Sequence, residues 1–442
     1  MGDVAHELHG RWWVAESPQT VVAGKLTVKT NGETRLELGG GLVDLGDTIA
    51  AIHGDAEGKP VTLLRAFVLH TRGGMGGGEH FQRLHISRCF IGAHFLPDEP
   101  VFTSARVQLE NLPTFLSAPG IERGREQDGF AYSSTVREYK SEEAEFDGWK
   151  FVVRSIPQYF NVDTTHATQT VSTEITPYLF ITSPAPVDAY GFDERILHLS
   201  DLMTLASGEP SGLISELLIL RREGMGPDDF ETVETYGERI HTASPEGVGP
   251  AHERFRFTCD DVAFEDLVPA WLQLRHDAST ACNVFFGLQY SRPGYTETRL
   301  LLSATAAESL ETAYSNLSMS IPEQRFDELR DRVLEAADNE EERLWLRAKI
   351  RNGPTYRERL TELASIPDEF ARATVIDEVD LWAKNLVRAR NALAHTGNFE
   401  GDGNIFDLEQ QTVGLLTLVL MHRTGLPPQA QQRAARRLRW PA

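Results

Sequence analysis

The sequence predicts an α+β protein of several domains, and three observations along its 442 residues carry this prediction. Residues 1–190 consist mostly of short alternating segments separated by turn residues, which indicates a β-rich domain of sandwich or barrel type. Residues 191–263 change to one helix followed by a strand, as in a small α/β connector. Residues 264–442 carry amphipathic helical patterns joined by short loops, which predicts a C-terminal all-α helical bundle. At about 150 residues per domain, the length suits two or three domains.

The β-rich region contains repeated hairpin signals. In "GKLTVKTNGETRLELGGG", hydrophobic and polar residues alternate on both sides of Asn31-Gly32, a dipeptide typical of tight hairpin turns. The segments "PVTLLRAFVLHTR", "WKFVVRSI" and "TQTVSTEITPYLFIT" have the same texture. The glycine-rich stretch from Arg72 to His80 lacks the Gly-Lys-Ser/Thr ending of a phosphate-binding loop, so we expect a hairpin loop there. These patterns do not decide between a sandwich and a barrel.

Helical periodicity assigns the connector and the bundle. "FDERILHLSDLMTLASG" spaces its hydrophobic residues as a helix, and "GLISELLILRR" follows it as a strand. In the bundle, Thr355 three residues before Glu358 forms the sequence pattern of a capping box, which marks a helix start. Long helices are predicted over residues 368–396 and 405–424.

Composition and charge narrow the classes of function. Hydrophobic residues at 41% and charged residues at 24% exclude wholesale disorder and disulfide-rich or collagen-like classes. The start "MGDVAHELHGRWW" lacks a secretory-signal pattern, and no apolar run approaches the roughly 20 residues that span a bilayer, so we expect a cytoplasmic protein with no membrane partner. The dispersed cysteines Cys89, Cys259 and Cys282 fit a reducing compartment. Because the formal net charge is −22, a nucleic-acid site has to be local.

One such local site is the stretch "VRARNALAHTG" near the end of the predicted helix 368–396. His395 lies four residues after Asn391 and seven after Arg388, so at about 100° per residue the three share one helix face. Arg390 lies on another face, but its long side chain can reach round. With Lys384, this helix supplies three cations and no acid over ten residues, in "LWAKNLVRAR".

These residue types suit metal-free cleavage of RNA. The imidazole of His395, whose ordinary pKa is about 6.5, can remove the proton of the 2′-hydroxyl or protonate the leaving 5′-oxygen. The guanidinium of Arg390 can hold the phosphoryl oxygens, Asn391 can fix the imidazole, and Glu308 or Thr312 on an opposing helix are candidate members. One histidine fills one role at a time, and a two-fold dimer would supply the second. The alternative is a solvated helix end whose cations offset the helix dipole.

The segment "RNALAH" resembles the signature of HEPN domains, in which an arginine is followed by a polar residue and, after four to six intervening residues, by a histidine. Arg390, Asn391 and His395 match this signature, while Arg388 also lies within the permitted spacing. The asparagine directly after Arg390 favours Arg390 as the essential arginine. More widely, "HGRWWVAES", "VQLENLPTFL" and a later "LLSATAAESLE" resemble the ApeA group of prokaryotic HEPN proteins over nearly the whole chain.

This resemblance implies a metal-independent endoribonuclease of anti-phage defence that acts by abortive infection. It implies a sensor or regulatory domain in residues 1–190 and a HEPN ribonuclease domain in residues 264–442 that forms a homodimer. RNA is the expected substrate, transfer RNA by analogy with other toxic HEPN nucleases, and a phage-derived molecule is the expected trigger. The resemblance assigns catalysis to Arg390, Asn391 and His395, and we expect Arg388 and Lys384 to bind substrate; no metal or cofactor is expected.

Two interpretations from other classes stay open. In the first, the bundle is a catalytically inactive HEPN scaffold that binds RNA or a partner protein. In the second, the β domain binds a carbohydrate or another small ligand, with Trp12-Trp13 as the contact, and the bundle is structural. A zinc site at His80, His85, Cys89 and His94 is disfavoured, because their spacing is not that of known zinc motifs and strand alternation would scatter the side chains.

Overall fold

A computed structural model describes most of the chain. It covers residues 3–44, 46–72, 81–117, 121–125, 132–136, 141–157, 161–172, 175–222, 224–226, 229–241, 243, 249–292, 294–314, 321–397, 399 and 404–439. The chain divides into two compact units, Met1–Leu272 and Gln273–Ala442. The first unit is built mainly from strands and the second from helices, so the predicted α+β class is confirmed.

The described part of the first unit is built mainly from antiparallel strands. These are β1 (Val4–Val14), β2 (Ser17–Lys29), β3 (Thr34–Leu38), β4 (Thr48–Ala56), β5 (Lys59–Arg72), β6 (Phe81–Ile91), β7 (Phe102–Leu109), β8 (Ile121–Arg125), β9 (Tyr132–Val136), β10 (Glu142–Phe146), β11 (Trp149–Pro157), β12 (Asn161–Thr164), β13 (Gln169–Ser172), β14 (Ile175–Val187), β15 (Leu213–Leu220) and β16 (Glu231–Gly237). Helices α1 (Leu112–Phe115) and α2 (Asp193–Ser207) accompany them.

Six of these strands close into a barrel. The order β6-β3-β2-β1-β4-β5 returns to its start because β5 also pairs with β6. Side chains that alternate inward, such as Trp12, Leu26, Leu36 and Leu63, are fully buried in a single core. Gly54 lies beneath the Trp12 indole, where an added Cβ would stand 2.1 Å from the ring, so only glycine fits. The pairing of β5 with β6 thus decides for a barrel where the sequence left a sandwich open.

The predicted hairpin at Asn31-Gly32 is confirmed. Strands β2 and β3 pair in antiparallel register from Val28 opposite Thr34 to Gly24 opposite Leu38. Gly32 has a φ of 86°, which L-residues with a side chain rarely adopt. The glycine-rich stretch predicted as a second hairpin loop, residues 73–80, lies outside the described residues.

Six further strands extend the barrel into an open sheet in the order β16-β15-β7-β14-β11-β10, while β8 pairs with β9 and β12 with β13 in separate two-stranded sheets. Strand β6 makes this possible, because its first half pairs with β3 and its second half, Arg88–Ile91, pairs with β16. The residues predicted as a connector therefore contribute α2 and two strands to this unit, with β15 and β16 inside the sheet.

The second unit is a bundle of helices. Helix α3 (Phe264–Asp277) crosses the boundary between the units; the others are α4 (Ser279–Tyr290), α5 (Thr296–Tyr314), α6 (Glu323–Glu335), α7 (Glu340–Lys349), α8 (Tyr356–Ser365), α9 (Glu369–Val375), α10 (Val379–Thr396), α11 (Ile405–Arg423) and α12 (Pro428–Arg439). Helix α5 packs on α4, α8, α10 and α11. Within the ranges that the structure describes, no helix has both the length and the hydrophobicity needed to cross a bilayer.

The helix predicted over residues 368–396 is two helices, α9 and α10. Helix α9 ends at Val375, and the chain is extended at Ile376 and Glu378 before α10 starts. Thr374, Val375 and Ile376 are consecutive β-branched residues, which lose rotamer freedom in a helix, and the Ile376 side chain is fully buried. Burial of Ile376 therefore interrupts the helix at residues 376–378, which is less than one turn.

Candidate active site

The candidate site lies at the C-terminal half of α10. The buried side of this helix carries Trp382, Leu386, Ala389 and Leu393, spaced three and four residues apart, so the residues between them point outward. The helix ends at Gly397, whose φ of 70° is left-handed and whose N–H bonds to the Leu393 carbonyl at 3.1 Å. This cap keeps the predicted site residues within the last turns of a regular helix.

Arg390 makes defined contacts with three other residues. Its Nη2 lies 3.5 Å from Oε2 of Glu308 on α5, and its Nη1 donates to Oδ1 of Asn391 at 3.2 Å. The guanidinium carbon lies 5.9 Å from the centre of the Tyr356 ring on α8, within range of a weak cation–π contact. The side chain is still 39% exposed, so its orientation is defined while a ligand can reach it.

The other predicted residues lie in solvent. Lys384, Arg388 and His395 are exposed, and none of them has a hydrogen bond or ion pair to the part of the chain that the structure describes. The structure therefore brings Asn391 to Arg390, and the described contacts do not include one between Asn391 and His395. His395 stands in the last turn of α10, where a positive charge would interact favourably with the helix dipole.

A second arginine, which the sequence analysis did not single out, lies beside Arg390. Arg359 on α8 donates through Nε to the carboxylate of Glu311 and through Nη2 to the hydroxyl of Thr312, both on α5. Its Nη1 is 4.0 Å from Oε1 of Glu308, the carboxylate whose other oxygen faces Arg390. Both candidates named on α5 from the sequence, Glu308 and Thr312, thus contact an arginine.

The start of α8 fixes this second arginine. The predicted capping box is confirmed: the Thr355 hydroxyl accepts from the N–H of Glu358, and the Glu358 carboxylate accepts from the N–H of Thr355. Tyr356 and Arg359 are three residues apart on the first turn and so face the same way, toward α5. In the sequence, the capping box predicted the start of α8, but no spacing predicted that Arg359 lies beside Arg390.

Burial sets the chemistry of the groups beneath the two arginines. Burial raises the pKa of the Tyr356 hydroxyl, and the charge of Glu308 adds to this, so the hydroxyl stays protonated and donates to the Ala304 carbonyl at 3.0 Å. Glu311 is only 3% exposed, and its Oε1 has no hydrogen-bond partner within the described residues. Its charge is therefore balanced mainly by Arg359, which restrains the position of that guanidinium.

This arrangement can bind an anion and move a proton at one helix end. Two guanidinium groups present several N–H donors toward a partly open site, and such donors match phosphoryl oxygens. An exposed imidazole follows on the same helix. A carboxylate, Glu308, occupies the space between the guanidinium groups in this structure.

Only one residue of the Trp12-Trp13 pair is accessible to a ligand. Trp12 is fully buried in the barrel core, so it cannot stack on a ligand. Trp13 is partly buried and meets the ring of His94 edge-on at 5.4 Å, while His53 and His94 stack at 4.7 Å. In the ranges covered by the structure, no group of three or more His, Cys, Asp or Glu residues is arranged to hold a metal ion, and His80 lies outside those ranges.

Two family models match the chain. ApeA N-terminal domain 1 matches residues 7–271, and Apea-like HEPN matches residues 301–428. The second match contains every predicted site residue as well as Glu308 and Arg359. No curated protein and no solved structure gives a match to the chain.

Proposed function

Because the chain belongs to the ApeA-like HEPN family, we propose that its helical bundle is a metal-independent endoribonuclease of anti-phage defence. HEPN domains are generally ribonucleases, and the motif of arginine, polar residue and histidine is intact in this chain at Arg390, Asn391 and His395. The observation that carries the proposal is the Arg390 guanidinium, which is held in position by Glu308 and Asn391 yet open to solvent.

In the proposed reaction the RNA supplies its own nucleophile. The 2′-oxygen attacks the adjacent phosphorus, the bond from phosphorus to the 5′-oxygen breaks, and a 2′,3′-cyclic phosphate forms. His395 takes the 2′-hydroxyl proton or gives a proton to the departing 5′-oxygen. Arg390 stabilises the negative charge on the phosphoryl oxygens, and Arg388 and Lys384 attract the flanking phosphates. Since attack is intramolecular, no metal-bound water is required.

The remaining features follow from this role. A second acid–base group is needed, and a homodimer would bring His395 of a second copy to the same phosphate. We propose that the activity is cytoplasmic, in keeping with three cysteines that lie far apart in the sequence. The N-terminal unit is proposed to restrain cleavage until a phage-derived trigger appears, because unregulated cleavage of RNA would harm the cell. Transfer RNA is the proposed substrate class.

The test compares purified full-length protein with two histidine variants on total cellular RNA in the presence of EDTA. We expect discrete cuts with 2′,3′-cyclic phosphate ends from the unaltered protein and none from His395→Ala. His276→Ala is the matched control, because His276 is also exposed and lies in the last turn of another helix, α3. It should cut like the unaltered protein.

Two results would overturn the proposal. Equal cutting by His395→Ala would remove the histidine from the reaction. If RNA stays whole, the same proteins are tested in extract of phage-infected cells, which contains the proposed trigger. Intact RNA there too would favour the inactive scaffold.

A further inference from the structure

Two arginines from different helices face one carboxylate beside the proposed reaction site. Oε2 of Glu308 is 3.5 Å from Nη2 of Arg390, and Oε1 is 4.0 Å from Nη1 of Arg359. Each carboxylate oxygen therefore has its own guanidinium. The side chains of Glu308 and Arg390 are 38% and 39% exposed, and that of Arg359 is 24% exposed, so an anion from solvent can reach all three.

We propose that Arg359 and Arg390 together form the binding site for a phosphate of the RNA, and that Glu308 occupies this site until RNA displaces it. This inference rests on the proposed function, since it names a further RNA-binding residue of the same site. A phosphate offers two non-bridging oxygens, as a carboxylate does, and guanidinium groups bind both kinds of anion through paired N–H donors.

The contacts of Arg359 explain how it would stay in position when Glu308 moves. Glu311 and Thr312 hold its Nε and Nη2, and neither contact involves the Glu308 carboxylate. Glu311 is buried, so its pairing with Arg359 is shielded from solvent and salt. Nη1 of Arg359, the atom nearest to Glu308, is then free to bind the incoming anion.

The phosphate site depends on folding of the bundle, because its residues lie far apart in the sequence. Arg390 and Glu308 are 82 residues apart, and Arg359 and Glu311 are 48 apart. The phosphate site therefore forms only when α5, α8 and α10 are packed together. In the absence of RNA the Glu308 carboxylate neutralises the two arginines and so disfavours binding of other anions of low affinity.

The test measures RNA binding by full-length protein that carries His395→Ala, so that the RNA stays whole. Binding of a single-stranded RNA is followed over a range of salt concentrations. We expect Arg359→Gln to weaken binding about ten-fold. The slope of log affinity against log salt should fall by about 0.7, the value for one phosphate contact on a single strand. Glu308→Gln should strengthen binding about three-fold, because it removes the competing charge.

Matched controls change the same charge on the same helices. Arg357 on α8 is half exposed and pairs with Asp380, away from the site, so Arg357→Gln controls for Arg359→Gln. Glu297 is exposed in the first turn of α5, so Glu297→Gln controls for Glu308→Gln. Both controls should change affinity by less than about two-fold.

Arg359→Gln leaves Glu311 buried without its cation and can unfold the bundle. The double variant Arg359→Gln with Glu311→Gln keeps a neutral hydrogen-bonded pair, and its melting temperature verifies folding. If this folded double variant binds RNA as tightly as Arg357→Gln, or if the His395→Ala parent does not bind RNA, the inference is overturned. Cleavage by the unaltered protein is measured separately, so loss of the proposed function and loss of the Arg359 site give different results.

Discussion

Arg388 and Arg390 both satisfy the spacing of the motif, yet their surroundings differ. Arg390 is held by Glu308, Asn391 and the ring of Tyr356, whereas Arg388 is exposed and has no polar partner among the described residues. Asn391 and the Tyr356 ring contact Arg390 independently of Glu308, so they still position it when RNA displaces Glu308. A guanidinium with a defined position can stabilise a transition state, because little energy is then needed to reorient it during the reaction. We therefore propose Arg390, rather than Arg388, as the residue that acts on the phosphate.

We expect Arg390→Lys to lower kcat/KM for RNA cleavage about 100-fold and Arg388→Lys to lower it less than about three-fold. Lysine keeps the charge and loses the planar fork, so the comparison isolates geometry from attraction. Initial rates on one RNA oligonucleotide that the unaltered protein cuts, in EDTA, provide the measurement. A larger loss for Arg388→Lys would assign the essential arginine to the other position.

The motif residues could be found from the sequence because they lie close together on one helix. Arg390, Asn391 and His395 span six residues, and a periodicity of 3.6 is enough to order their faces. Arg359 could not be found in this way, since its contacts with Glu311 and Thr312 join helices that only tertiary packing brings together. The helical period also did not predict whether His395 is exposed, because it gives the face on which a residue lies and not the contacts of that face with other helices.

Helix α8 brings Arg359 and Tyr356 to the site, and its start depends on the capping box of Thr355 and Glu358. We expect Thr355→Ala to lower the free energy of unfolding by about 1 kcal/mol, because the Glu358 N–H in the first turn loses the hydroxyl that accepts from it. Thr361→Ala is the control: this hydroxyl, on the same helix, bonds back to the Arg357 carbonyl and caps nothing. Urea unfolding of both variants measures the difference, and equal midpoints would contradict a stabilising cap.

The capping box of Thr355 and Glu358 also makes the stability of the protein depend on pH. The backbone N–H and hydroxyl of Thr355 bond to the Glu358 carboxylate and lower its pKa below the ordinary value of 4.5. These hydrogen bonds therefore contribute fully to stability at a pH well above 4.5, the pKa of glutamate in the unfolded chain. The contribution is lost as the pH falls from that value through the lower pKa of Glu358 in the folded protein.

Local elements were predictable and their long-range pairings were not. The hairpin at Asn31-Gly32 and the capped start of α8 are set by residues within a few positions of each other. The closure of the barrel depends on β5 meeting β6 while β6 also pairs with β3 and β16. The break between α9 and α10 depends on burial of Ile376, which the helical period of its neighbours concealed.

The whole chain combines a net charge of −22 with a helix that carries three cations and no acid over ten residues. We therefore propose that long-range attraction of RNA is weak and that the affinity comes from the cations of α10 and from Arg359. The first unit, which ApeA N-terminal domain 1 matches, contains none of the residues proposed to contact RNA. A regulatory role for the first unit stays a proposal.

The first unit is expected to lose stability when the pH falls below neutrality, and His53 is one cause. Burial lowers the pKa of His53, and the charge of the stacked His94 lowers it further, although a hydrogen bond to the Phe95 carbonyl opposes both effects. The unfolded chain then binds a proton more readily than the folded one. The contribution of neutral His53 to stability is therefore complete above the ordinary histidine pKa of about 6.5. It is lost as the pH falls from that value through the lower pKa of His53 in the folded protein.

Replacement of His53 by glutamine removes this titration and can keep a donor to the Phe95 carbonyl. We expect the melting temperature of His53→Gln to fall less than that of the unaltered protein between about pH 7.5 and about pH 5.5. The exposed His276, replaced in the same way, should leave the dependence unchanged. A fall for His53→Gln as steep as that of the unaltered protein would attribute the acid sensitivity to other groups. Because loss of folding at low pH also lowers a cleavage rate, this control has to precede any assignment of a pH–rate profile to His395.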